Sequence, residues 1–152
     1  YMICKIPPMI KRIALVTLWI SILLSCRVML VPEYSAKLEE DIAKTAKATD
    51  KLYIDLLDAA PAKRGYDSYK ERYADIEADI NAIRLKNEAR NKNDDFLVII
   101  DNLKKGFTEA KKYHKDNNTL ADGEIMAYQA TLAGLWKPLY LAERSLKINS
   151  KK

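Results

Sequence analysis

The chain has 152 residues, 31% of them charged and 49% hydrophobic, which suits one folded domain with its own core. Four glycines and five prolines are too few for an all-β fold, which needs a turn at every strand end. The formal net charge of +5 is uneven: Lys5, Lys11 and Arg12 lie in the first 26 positions without an acid, leaving 23 basic against 21 acidic residues beyond them. A body so near neutrality carries no electrostatic footprint for nucleic acid, and no nucleic-acid partner is expected. Cys4 and Cys26 both precede the body, which excludes a disulfide framework or a Cys-based metal site within it.

Met9 reads as the start, with residues 1–8 an upstream or non-native segment. Lys11 and Arg12 then form a positive region ahead of twelve residues, 13–24, that are almost wholly apolar. As a helix these span about 18 Å, short of the roughly 30 Å hydrocarbon core of a bilayer. Leu23, Leu24, Ser25 and Cys26 close the run and resemble the bacterial lipobox, although Leu24 is bulkier than the usual residue there. The resemblance implies a signal peptide over 9–25, cleavage before Cys26, and acyl lipid (palmitate among others) on its sulfur. It places the mature chain in the bacterial cell envelope, lipid-anchored on the periplasmic or extracellular side of a membrane. The alternative is an uncleaved N-terminal anchor in which Cys26 is incidental. A short tether, 26–33, follows.

The body, 34–149, reads as helices. Tyr34, Leu38, Ile42, Ala46, Thr49, Leu52, Tyr53 and Leu56 recur in steps of three and four, the mark of an amphipathic helix. Pro61 and Gly65 close it. A second stripe, Tyr69, Tyr73, Ile76, Ile80 and Ile83, is expected to start with Asp67 or Ser68 as its N-cap and to carry a Glu88–Lys92 pair. Asp94 or Asp95 is expected to cap a third helix, whose face is Phe96, Leu97, Ile100, Leu103, Phe107 and Ala110. Gly106 within it marks a close approach or a weak point. The fourth stripe, from Ile125 through Tyr128, Leu132, Leu135, Trp136, Leu139 and Ala142 to Leu146, contains Pro138, which predicts a kink near 134–138 or two shorter helices. Glu143 and Lys147 are spaced to pair. The fold class is therefore all-α: an antiparallel up-down bundle of four helices, the last kinked, behind an N-terminal signal helix. Three helices with an irregular last segment is the alternative.

Little points to catalysis. His114 is the sole histidine, and Lys111 stands where a Glu-x-x-His metal unit needs Glu. His114 reads as a polar residue at a helix end. Asp75 and Asp79 read as a solvated face. No phosphate loop or nucleophile elbow occurs, and no metal or cofactor is expected. The aromatics Tyr66, Tyr69, Tyr73 and Trp136 are of types that favour binding hot spots and form the candidate binding face, but Tyr69 and Tyr73 fall on the apolar stripe, where the first reading is core or core edge with hydroxyls reaching water. Arg84, Lys104, Lys111, Lys112 and Lys115 read as solvated surface. The layout is similar to small helical bacterial lipoproteins of unassigned role. That resemblance implies topology and address, not activity; the role expected on these grounds is a membrane-tethered, non-enzymatic module that binds an envelope protein or serves as a scaffold. A bundle binding a small ligand or cofactor is the alternative.

Overall fold

The computed structural model describes residues 31–149. The leader features, from Met9 through Leu23, Leu24 and Ser25 to Cys26, lie outside the described residues, as does the tether up to residue 30. Four α-helices make up the rest: α1 (Ala36–Asp58), α2 (Lys70–Glu88), α3 (Asp94–Asn117) and α4 (Asp122–Asn149). Each packs on its neighbours in sequence, and α4 returns to pack on α1, closing a ring. Cross-helix pairs give the direction of every contact. Asp41 meets Lys86 and Asp55 meets Arg72; Arg84 meets Asp101 and Glu77 meets Lys111. Tyr113 meets Glu124 and Gly106 faces Leu135; Ser35 meets Glu143 and Asp50 meets Gln129. In each set one number rises as the other falls, so neighbouring helices run antiparallel. The all-α, up-down bundle is thus the fold. No described helix is long and apolar enough to cross a membrane.

The caps follow local chemistry, with corrections. Ser35 caps α1, its Oγ accepting from the Leu38 N–H at 3.2 Å. Ala59 and Ala60 are extended ahead of Pro61, as the residue before a proline prefers. Asp67 and Ser68 do not cap α2. They belong to a 3₁₀ turn, Tyr66–Ser68, and α2 starts from Tyr69 instead. That turn is held by a tertiary bond: the Tyr66 N–H donates to the Asn118 carbonyl at 3.2 Å. Asn93, not Asp94 or Asp95, is the N-cap of α3. The two aspartates fill its first turn, where negative charge still favours the helix dipole.

Glu88 does not pair with Lys92. The helix ends at Glu88 and Lys92 takes a left-handed φ of 59°, so the i,i+4 geometry is lost and Glu88 pairs with Arg84. Pro138 does not divide the last helix: α4 runs unbroken for 28 residues. Pro138 and Gly134 both face solvent, where water can satisfy the carbonyl that the proline leaves unbonded.

The predicted stripes meet at the bundle axis. Tyr53, Tyr73 and Phe107 are the largest fully buried side chains, among Leu38, Ile42, Ile80, Ile100, Leu132 and Leu139. Each such side chain contributes about 1.5–3 kcal/mol through burial, before the entropy of ordering it. Thr45 and Thr49 are buried with them. Their hydroxyls donate back to the carbonyls of Asp41 and Thr45, at 2.8 and 2.9 Å, so neither is left unsatisfied. Gly106 is a close approach: a Cβ there would stand 2.5 Å from Leu135 Cδ1 on α4.

Candidate functional site

Both ends of the bundle bury charge, and in both the charge joins helices rather than facing a ligand. At one end Arg64 is only 4% exposed. Its Nε donates to the Ala59 carbonyl at 2.9 Å and its Nη2 to Leu57 at 3.1 Å, two carbonyls at the negative end of α1. Its Nη1 reaches the Leu120 carbonyl and the Asp122 carboxylate at the start of α4. Beside it His114 sits at the end of α3, in its last turn, and is fully buried. Its Nε2 lies 2.7 Å from the Arg64 carbonyl and its Nδ1 lies 3.1 Å from the Tyr73 hydroxyl. With both ring nitrogens engaged, His114 is a structural latch.

At the other end Glu143 is fully buried. Its carboxylate accepts from Arg90 Nη1 at 2.7 Å and from the Ser35 N–H at 2.7 Å. Arg90 also donates to the Glu33 carbonyl and lies over the Phe96 ring. The expected Glu143–Lys147 pair does not form. Position 143 falls on the buried face with Leu139 and Leu146, so its carboxylate is met from inside, while Lys147 turns to Glu39 at 3.7 Å.

A cleft of about 490 Å³ lies between α1 and α4. That volume is within the range of small-molecule sites, about 300–1,000 Å³. It exists because both facing helices carry small residues there: Ala43 and Ala46 on α1, Ala133 on α4. Its base is the buried Thr49, Tyr53 and Trp136, and nearer the mouth stand Tyr140, Lys47, Lys137, Asp50 and Gln129 with the exposed Ala43 and Ala133. The Gln129 amide donates to Asp50 at 2.7 Å, bridging the two helices beside the cleft.

Two buried polar side-chain atoms among the described residues have no hydrogen-bond partner, and both belong to cleft residues: the Tyr53 hydroxyl and the Trp136 indole N–H. The Tyr53 hydroxyl lies on the Tyr73 side of the core, and burial pushes its pKa up to about 12, so it remains a donor at neutral pH. An unpaired buried donor costs about 1–3 kcal/mol, and since both atoms are closed off from the cleft, that cost falls on the core.

The candidate binding face thus divides. Tyr66, Tyr69 and Tyr73 gather around His114, with ring centroids 5.6, 6.2 and 5.6 Å from the imidazole. Tyr73 is fully buried and the other two are partly buried, so the three pack an end of the core. Trp136 lines the cleft instead. Sequence reasoning missed the cleft because Ala46 fits an apolar stripe as well as leucine does. The readable signal was small residues recurring on the α1 and α4 faces that meet. Among the described residues no cluster of three His, Cys, Asp or Glu could hold a metal.

Fold and cleft together define a four-helix up-down bundle with a ligand-sized depression on its α1–α4 seam. Compared with known proteins, the chain matches no family model, no curated protein and no solved structure.

Proposed function

We propose that this chain is a membrane-tethered, non-enzymatic binding module of the bacterial cell envelope, held by lipid on Cys26, whose bundle takes a small ligand on the α1–α4 seam. The observation that carries the binding part is the ligand-sized cleft itself, lined by the aromatic side chains of Tyr53, Trp136 and Tyr140. The tether rests on the positive, apolar and lipobox-like order of residues 11–26. A protein partner or scaffold role, the reading that the sequence alone favours, has less support. The exposed large apolar residues, among them Ile54, Leu85, Val98, Met126 and Leu141, are spread over all four helices. A non-enzymatic role fits a histidine and a buried carboxylate that are both committed to structural bonds.

The test is native mass spectrometry of the full chain purified from envelopes. A bound small molecule that is released on denaturation and lost in Ala133→Leu is expected. A bare mass in the unaltered protein counts against the reading. Cell fractionation of Cys26→Ala tests the tether: unchanged membrane retention and unchanged acylation would overturn it.

A further inference from the structure

We infer that the outer face of α4 is a docking surface for a second copy of this chain, the two α4 helices lying antiparallel and crossing at Gly134. This surface is independent of the small-ligand reading above.

Charge sets α4 apart. Twelve successive residues, 125–136, carry no formal charge, whereas no such run exceeds five residues in the other three helices. Burial does not account for it, because six of the twelve are exposed. A solvated helix face ordinarily carries charge, and a helix that is apolar all round packs on more than one side. The strip continues along the helix: Ala127, Ala130, Gly134, Pro138, Leu141 and Ile148 fall at helical spacing and are all exposed, opposite the buried line from Ile125 to Leu146. Leu141 is 50% exposed and Ile148 64%. Exposed apolar side chains occur on every helix; the long charge-free strip belongs to α4.

Charge returns at the two ends, with opposite sign. Asp122 and Glu124 open the helix, and Lys137, Arg144 and Lys147 occupy its second half. Asp122 remains 66% exposed although Arg64 holds one of its oxygens. Glu143, the acid of the second half, is buried and held by Arg90. A surface acidic at one end and basic at the other complements itself when turned end for end, as a two-fold contact between identical copies demands. In the antiparallel pair each basic half lies along the partner's acidic start; in a parallel pair like charges would meet. An anionic lipid surface would attract the basic half and repel the acidic start.

Midway between Asp122 and Lys147 stands Gly134, where an added Cβ would meet nothing within 4 Å. Two backbones can therefore approach most closely at the crossing. The strip from 127 to 148 is about 33 Å long and one helix wide, small for a specific interface, so a reversible pair with a Kd of about micromolar order is expected.

Disulfide cross-linking of the full chain in isolated envelopes reads the geometry, because two cysteines join only when their Cα atoms come within about 7 Å. Gly134→Cys should give a dimer well above the level of the unaltered chain. Ala127→Cys and Leu141→Cys lie seven residues to either side of the crossing. Neither should join its own copy, about 21 Å away along the helix, but the two should join each other when expressed together. Sedimentation of the full chain in detergent supplies a second measurement. Gly134→Glu sets like charges at the crossing while its Cβ stands in open space, and should weaken the dimer about tenfold or more with helix content unchanged. Alanine there is small enough to keep the approach. Arg144→Glu should weaken the dimer roughly three- to tenfold at low salt and less at high salt. Lys44→Glu, on the charged outer face of α1, should leave it unaltered. Self-joined Ala127→Cys and Leu141→Cys would mean a parallel pair and overturn the arrangement. A monomer at about 100 μM, well above the expected Kd, with no cross-link through Gly134→Cys would overturn the surface. Cross-links to other proteins alone would overturn the second copy as its occupant.

Discussion

His114 Nε2 lies 2.7 Å from the backbone carbonyl of Arg64, and a carbonyl can only accept, so Nε2 carries the proton. Nδ1 then accepts from the Tyr73 hydroxyl at 3.1 Å. One imidazole thereby joins the loop before α2, the body of α2 and the last turn of α3, and it does so in its neutral form.

A pH dependence follows from that neutrality. Burial lowers the His114 pKa below its ordinary value of 6.5, while the bond to the Arg64 carbonyl opposes this more weakly. A lowered folded-state value means that the unfolded chain binds the proton first. The contribution of His114 is therefore complete above about pH 6.5 and is lost as pH falls through the folded value. Urea unfolding at pH 7.5 and pH 5 should show a lower midpoint at pH 5, and His114→Gln should flatten that difference. An unaltered slope in the variant would show that other groups cause it. The carboxylates lowered by partners, Asp41 beside Lys86 and Asp101 beside Arg84, lose their contribution only at more acidic pH.

Glu143 should be the most costly single charge to remove. Glu143→Ala strands the Arg90 guanidinium and the Ser35 N–H at a buried site, a loss of about 3–5 kcal/mol. Arg90→Ala with Glu143→Ala should cost less than the two single losses added together, because each single variant leaves a partner unpaired. Strict additivity in a denaturant cycle would mean that the pair is not coupled.

Two glycines in helices should respond oppositely to alanine. At Gly134 a Cβ meets nothing within 4 Å, so Gly134→Ala should stabilise by about 0.5–1 kcal/mol. At Gly106 it would press on Leu135 Cδ1. That side chain end must turn away, so the helical gain is offset and Gly106→Ala should be neutral or destabilising by about 1 kcal/mol. Equal responses in urea unfolding would refute the close approach.

Pro138 should be a removable cost. It sits on the exposed side of an unbroken helix and withholds the N–H that would bond the Gly134 carbonyl. Pro138→Ala should stabilise by about 1–3 kcal/mol. A loss of stability would mean that the proline shapes the packing of α4 on its neighbours.

Most positions that sequence periodicity places on a face are buried, among them Leu38, Ile42 and Leu52 on α1, Ile76, Ile80 and Ile83 on α2, Ile100, Leu103 and Phe107 on α3 and Leu132, Leu139 and Leu146 on α4, while Ala46, Leu97, Leu135 and Ala142 are half-buried. Helical period is a local property, carried by residues three and four apart, so it is readable before any contact is known. The errors fall where a local preference met a tertiary partner. Ser68 and Asp67 have good capping chemistry, but the bond from Tyr66 to Asn118 holds their segment as a turn. Glu143 has a lysine four residues on, but Arg90 and Ser35 reach it from two other segments.

What the sequence by itself determined is the class: four amphipathic helices with short polar breaks, near-neutral charge, and cysteines confined to the segment before the body. Tertiary structure alone decided which charges are buried, that His114 is a latch, and that Trp136 stands apart from the tyrosines. It also decided that three alanines meet across one seam to leave a cleft. The physical reason is range. Helix formation and amphipathicity are written in near neighbours, whereas an empty volume belongs to two helices at once. It appears only when small residues nearly ninety positions apart in the chain face each other.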